Sequence, residues 1–350
     1  MALVSVAGLA FFFIIPENSP STVHPLPSPE PSFPNRSLGS AAPPICENFY
    51  ELICRHQRGV TRDPTGTVKP DLEGELEVLR IYQGIIREHP NWSSQEVDEA
   101  LVRAVYTPKR LRRVQAVFNW VQQALVKLIQ RESAFASANK KLLIQNLKQV
   151  RLELPPPAKV YEDEPDLFTK NDVYYERLSS GGVRLRVGGA FLFTSKSWFN
   201  LVFTVAHELG HAIDPCEIRD TGGSIPAYLQ LESCFVQQHW MAKVKPGSEC
   251  SANDQLSETF ADWIAVQVTA EALKYYATEF SRAQIVGAAV NSVRDLCEQE
   301  QSLDESDNRQ HPASIARIDK IFGRSPQIRK VLGCEPASKQ DLINVDYCEL

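Results

Sequence analysis

The chain has 350 residues, enough to bury one large or two modest cores, and its composition (43% apolar, 23% charged) is that of a globular protein. Its net charge of -6 argues against nucleic acid as the main partner. No internal repeat is visible.

The N-terminus opens with Ala2 to Ile15, apolar apart from Ser5 and Gly8. A membrane-spanning helix needs about 20 residues, so residues 1–15 read as a signal peptide or a short signal-anchor. Residues 16–45 are rich in Pro and Ser and read as an extended, disordered stalk. Asn35 and Asn91 begin Asn-x-Ser sequons, which accept N-glycans if the chain enters the secretory pathway. The eight cysteines are even in number and scattered, with no C-x-x-C pair. That usage suits disulfides in an oxidising compartment better than zinc ribbons. Together these features suggest an extracellular protein, secreted or tethered to the cell surface as a type II protein through residues 2–15.

Residues 46–160 read as a helical segment. Ile45, Phe49, Leu52 and Ile53 have helical spacing, and Cys46 and Cys54, about two turns apart, are expected to bond elsewhere in the chain rather than to each other. Residues 57–71 carry turn residues. Leu72–Glu88 follows as a helix with Leu72, Leu76, Leu79, Tyr82 and Ile86 on one stripe, and Ser93–Val105 as a second with Ser94 as N-cap. Lys109–Ile129 is longer, and Asn139–Leu152 continues the helical character. The Lys109–Arg113 cluster reads as solvated surface.

Residues 161–350 differ in pattern. Asn171–Tyr175 is short and aromatic, Gly181-Gly182 follows, Val183–Val187 alternates strictly and Ala190–Phe193 is an apolar run. These features predict a β-hairpin ahead of the next helix. Helices then return at 228–242, 253–278, 281–299, 313–322 and 325–333. The fold class expected is mainly α (α+β).

The chemistry centres on Thr204-Val-Ala-His207-Glu208-Leu-Gly-His211-Ala-Ile-Asp214, which follows the largely apolar run Trp198–Ala206. Helical positions i and i+4 share a face, so His207 and His211 can aim two imidazoles at one metal, with Glu208 beside it to take a proton from an activated water. Glu258 and Asp262 are four apart on a later helix. Glu258 supplies the carboxylate of a His2Glu zinc site with an open fourth position, and Asp262 can accept the second N–H of a ligand histidine. Asp214, one turn along from His211, is a candidate supporting partner. From spacing alone, His311 precedes a Pro-initiated helix and Arg317 lies on its surface. Nearer the metal, a histidine could donate to an oxyanion and an arginine could hold a substrate carbonyl or carboxylate.

With these motifs in order, the chain resembles the neprilysin-like (M13) zinc metallopeptidases. Cys46 to Cys54 is similar to that family's Cys-x-x-Phe segment, Asn171-Asp-Val-Tyr174 to its Asn-Ala-x-Tyr substrate strand, His207 to Asp214 to its H-E-x-x-H-x-x-D. Glu258 to Asp262 resembles its E-x-x-x-D and His311 to Arg317 its His-x5-Arg. The resemblance implies a zincin-type catalytic core with a small sheet beside the H-E-x-x-H helix and a shortened helical lobe. It implies one Zn2+ per chain on His207, His211 and Glu258, with Glu208 as general base and Asp262 behind a ligand histidine. It further implies His311 on the tetrahedral intermediate, and Asn171 and Arg317 on the peptide backbone. For the cysteines it implies Cys46–Cys334, Cys54–Cys297 and Cys234–Cys348, and Cys216 and Cys250, left over, are predicted to pair. Two departures stand out. Most of the family's N-terminal helical lobe has no counterpart here, and Asp172 stands where the family has alanine.

The function expected is therefore a zinc metalloendopeptidase acting on extracellular peptides, each lying antiparallel to the 171–175 strand. The alternatives are a catalytically silent extracellular binding domain that keeps the zinc for stability, or a purely structural zinc site with four protein ligands.

Overall fold

Trp198–Gly210 is too apolar to present an outer face, and it becomes the central helix, buried at nearly every position. The computed structural model describes residues 44–55, 73–155, 165–179, 181–195, 197–241, 250, 255–299, 311–334 and 347–350. The apolar N-terminal segment, residues 16–43 of the stalk with Asn35, and the turn-rich stretch 57–71 lie outside the described residues; Pro44 and Ile45, expected in the stalk, form a 3-10 turn in which Ile45 is buried in the core. Asn91 lies within them and is exposed.

In chain order the helices are α1 (Glu73–Glu88), α2 (Ser94–Val105), α3 (Pro108–Arg131), α4 (Ser137–Gln149), α5 (Trp198–Gly210), α6 (Pro226–Gln237), α7 (Gln255–Tyr276), α8 (Arg282–Ser292) and α9 (Pro326–Leu332). The strands are β1 (Val150–Glu153), β2 (Val173–Arg177) and β3 (Val183–Val187). They form one small sheet in the order β1-β3-β2, with β1 parallel and β2 antiparallel to β3. The molecule is thus mainly helical with a three-stranded sheet.

Several expectations are corrected. The helix expected over Asn139–Leu152 stops at Gln149, and Val150–Glu153 becomes a strand. Val150 there is buried and Glu153 reaches Arg184 and Arg186 of β3, so tertiary pairing overrides local propensity. The hairpin consists of β2 and β3, whereas Ala190–Phe193 does not extend it: Phe191–Thr194 is a single helical turn. The cap of α2 is Ser93, not Ser94, because Ser93 and Glu96 form a reciprocal capping box. The apolar stripe of α1 faces solvent, with Leu76, Leu79, Tyr82 and Ile86 exposed, while Gly74 and Val78 face inward. The stretch 281–299 divides into α8 and a 3-10 segment, and 316–322 winds as a π-helix. Within the basic cluster, Arg110 is not simply solvated: it lies 3.9 Å over the Phe193 ring and donates to the carbonyls of Ala104 and Val105.

One apolar cluster runs from Ile45 to Cys348 and joins α3, α4, α5, α7 and the sheet. A smaller one holds α1 and α2 against Leu167, Phe168 and Ala190. Disulfides Cys46–Cys334, Cys54–Cys297, Cys216–Cys250 and Cys234–Cys348 staple the larger cluster, with Cα separations of 5.5, 5.4, 5.5 and 5.7 Å. They are the four pairs named above, and no free cysteine remains. Four disulfides fit an extracellular protein. Among the described residues, no helix is long and apolar enough to cross a membrane.

The N-terminal segment is also held by Asp319, whose carboxylate accepts the Tyr50 N–H at 2.6 Å. Burial pushes the Asp319 pKa up to about 6, with Arg324 opposing and Glu51 adding to the shift. A folded-state value above the unfolded one gives stability that is complete below the unfolded pKa and is lost as pH rises through about 6. Asp319→Asn keeps an acceptor for Tyr50 and removes the charge. Its melting temperature should fall less than that of the unaltered protein between about pH 5 and pH 7.5, a difference of about 1 kcal/mol after solvent screening. Identical pH profiles for the two proteins would refute the assignment.

Candidate metal centre

The two central helices cross closely because Gly210, inside the H-E-x-x-H motif, has no side chain. A Cβ there would stand 3.1 Å from the Ala261 backbone. Ser197 caps the start of α5, accepting N–H groups from Phe199 and Asn200. At its far end the helix tightens into a 3-10 turn at His211–Ile213, and the His207 and His211 rings lie 5.0 Å apart between centroids.

Glu258, in the first turn of α7, faces both. Its Oε2 is 3.0 Å from His207 Nε2 and its Oε1 is 3.8 Å from His211 Nε2. His311 joins them from the C-terminal part of the chain, with Nε2 2.9 Å from Glu258 Oε2. Ligand-type atoms of His207, Glu208 and His211 lie within 4.8 Å of one another, as do those of His207, Glu258 and His311. Glu258 Oε2 is sealed from solvent, and its close neighbours are imidazole nitrogens. A protonated His207 can pair with it from Nε2, whereas neutral imidazoles would turn lone pairs toward the same space. A dication satisfies all three groups at once, and the N/O donor set suits zinc.

Behind these atoms each histidine is oriented from its other nitrogen. His207 Nδ1 lies 2.9 Å from Asp262 Oδ1. His211 Nδ1 lies 2.9 Å from Ser257 Oγ and 3.3 Å from Asp214 Oδ2, and the Ser257 hydroxyl donates to that same Asp214 oxygen. When the rings are neutral, protons on the Nδ1 atoms facing these acceptors would direct both Nε2 lone pairs inward. Asp214 has a further part as N-cap of the Pro215–Asp220 helical turn, so it is a helix-end residue as well as a partner of His211. Arg317 is not on the surface, as spacing alone suggested. It is 3% exposed, and its Nε and Nη2 donate to Asp262 at 2.6 and 2.8 Å. Asn171 stands just ahead of β2, and its Oδ1 accepts the Thr194 hydroxyl.

The electrostatics follow from burial and pairing. Burial favours neutral His207, but Asp262 and Glu258 outweigh it and raise its pKa to about 10. Burial likewise opposes charge on Asp262, yet Arg317 and His207 hold it down to about 2. Against the same opposition, His207 and His311 keep Glu258 well below the usual carboxylate range. Glu208 behaves differently: burial raises its pKa, His207 and His211 pull against the rise, and Asp172 adds to it.

β2 closes the open side. Gly188 N–H donates to the Asp172 carbonyl at 2.9 Å, which fixes the ladder so that even-numbered residues bond toward β3. The N–H and C=O groups of Val173 and Tyr175 therefore point outward along the free edge. Tyr175 N–H donates to Glu208 Oε2 at 2.7 Å, and Val173 N–H donates to Asp172 Oδ1 at 2.8 Å. Sequence reading missed Ser257, the Tyr175 amide and the Arg317–Asp262 pair. Only Ser257 left a signal, as a hydroxyl directly ahead of the candidate ligand Glu258 on one helix.

Compared with known proteins, the chain matches no family model and no curated sequence.

The Asp262–Arg317 pair is buried on both sides, so removing one partner strands a charge. Arg317→Met should lower unfolding free energy by about 3–5 kcal/mol, and adding Asp262→Asn should recover part of that loss. Denaturant titration of the single and double variants measures both. A single-variant loss below about 1 kcal/mol would contradict the pairing.

Proposed function

We propose that the chain is a zinc-dependent metalloendopeptidase, related in kind to the neprilysin-like enzymes, that hydrolyses peptide bonds in extracellular peptides. The observation that carries this reading is the convergence of His207, His211 and Glu258 beside Glu208, itself held by a backbone N–H of an edge strand. His207, His211 and Glu258 would hold the ion. Bound there, zinc supplies Lewis acidity that polarises a carbonyl and lowers the pKa of water.

The remaining work falls to the chain itself. Glu208 accepts the proton of the attacking water and hands it to the leaving amine, and the raised pKa that burial gives it suits both transfers. The Tyr175 amide keeps its carboxylate aimed while it does so. His311 donates a hydrogen bond to the oxygen that gains negative charge. Asp262, anchored by Arg317, keeps the His207 tautomer fixed. The peptide runs antiparallel along the free edge of β2, meeting the outward carbonyls of Val173 and Tyr175, with Asn171 assigned to its backbone; Arg317, expected there too, is buried against Asp262 and serves the site through that carboxylate.

A second reading has one observation in its favour. His311 is as close to Glu258 as His207 is, so it is within reach of the ion as a further protein ligand. Such a closed site belongs to a catalytically silent binding domain that keeps zinc for stability.

Hydrolysis of a quenched peptide by the purified protein separates the two. The peptidase reading expects turnover that a chelator abolishes and zinc restores. Glu208→Gln should cut kcat by about 10³-fold while zinc stoichiometry stays unchanged. Stoichiometric zinc with no chelator-sensitive turnover would favour the silent domain, and full activity in Glu208→Gln would overturn the assigned base.

A further inference from the structure

The carboxylates gathered around the histidines are not alike. Glu208, Asp214, Glu258 and Asp262 are all buried and bonded within the site. Asp172 is exposed. Its carboxyl is nevertheless desolvated, and it interacts electrostatically with His207, His311, Arg317 and Glu208. Asp172 is therefore open to solvent yet within electrostatic reach of the candidate metal site.

The strand fixes which way this carboxyl lies. Val173 and Tyr175 point their amides along the same free edge of β2, and residues two apart on a strand are about 6.8 Å apart. One amide is taken by Asp172 Oδ1 and the other by Glu208 Oε2. Asp172 therefore stands on the edge along which a peptide would lie, one strand repeat from the general base. A neutral peptide carbonyl must compete with that carboxylate for the Val173 N–H. A cationic group gains from it without displacing it.

We propose that Asp172 is a specificity-determining residue that holds a positively charged substrate group, a basic side chain or a free α-ammonium, next to the scissile bond. The proposal rests on the peptidase reading of this site. His207, His211 and Glu258 are taken up by the ion, Asp262 is neutralised by Arg317, and Glu208 has its place in the chemistry. Asp172 is left as the carboxylate that an incoming cation meets from solvent. An ion pair beside this buried cluster should favour the charged ligand roughly fivefold to tenfold, more than a pair on open surface would.

The test uses the full chain loaded with zinc and disabled by Glu208→Gln, which keeps an acceptor for the Tyr175 amide. Fluorescence anisotropy compares binding of labelled hexapeptides: N-acetylated alanine peptides, the same peptides with one arginine scanned through each position, and an alanine peptide with a free N-terminus. The expected result is roughly fivefold to tenfold tighter binding of one charged class, weakening as salt rises. Adding Asp172→Asn should bring the ratio to about one, and Asp172→Glu should retain it. An advantage in the arginine series identifies a side-chain subsite, and one in the free-amine peptide identifies an amino-terminal anchor. Equal binding of charged and neutral peptides, or a preference that survives Asp172→Asn, overturns the proposal. Hydrolysis by the unaltered protein is measured in parallel. Charge-selective binding without chelator-sensitive turnover sinks the peptidase reading and leaves Asp172 as a recognition residue. Turnover without charge selectivity does the reverse, and no binding by any peptide overturns both.

Discussion

The buried carboxylate of Asp262 is the interaction on which the rest of the centre depends. It is 1% exposed and charged, a state that survives burial only with close partners. It has two, and they come from opposite parts of the chain. His207 on α5 offers Nδ1 to it, and Arg317 on the π-helix grips it with two N–H groups. Satisfying one charge thus locks α5, α7 and the C-terminal segment into a single arrangement. It also decides where His207 Nε2 points, and with it the place where Glu258 and His311 meet that ring. The Asp214–Ser257 pair repeats the device for His211 on a smaller scale.

Around that anchor, similar groups are driven to different states by their surroundings. Glu258 and Asp262 are four residues apart on one helix, and both stay ionised because cations face them. Glu208, equally buried, has an amide and weaker attraction from the histidines, so burial prevails and its proton affinity rises. Under the proposed function, that division would give one carboxylate for an ion, one for orientation and one for proton transfer. Asp172, at the edge of the sheet, adds a carboxylate that solvent can reach.

Much of this arrangement was legible in the sequence, and the reasons for success and failure are physical. His207 and His211 share a helical face by periodicity alone, and the Glu258/Asp262 spacing repeats that logic. The main helices were visible because α3, for example, repeats Val114, Val117, Phe118, Val121 and Leu125 on one buried stripe. What failed depended on partners remote in sequence. Val150–Glu153 reads as helix until β3 offers a ladder. The stripe of α1 reads as core, although the inward side is set by Gly74 against the Ala190 carbonyl. Arg317 reads as surface because Asp262, 55 residues away, is what buries it. The cap falls at Ser93 rather than Ser94 because Glu96, three residues on, closes a reciprocal bond with it.

In the proposed function this lattice of carboxylates and imidazoles holds one ion on His207, His211 and Glu258 with room left for solvent. X-ray absorption spectroscopy of the zinc-loaded protein, with metal content measured after exhaustive dialysis, tests it most directly. The expected result is one zinc per chain with two imidazole nitrogens, one carboxylate and a solvent oxygen at about 2.0–2.2 Å. A chain that retains no zinc would contradict it, as would a site closed by a third imidazole from His311.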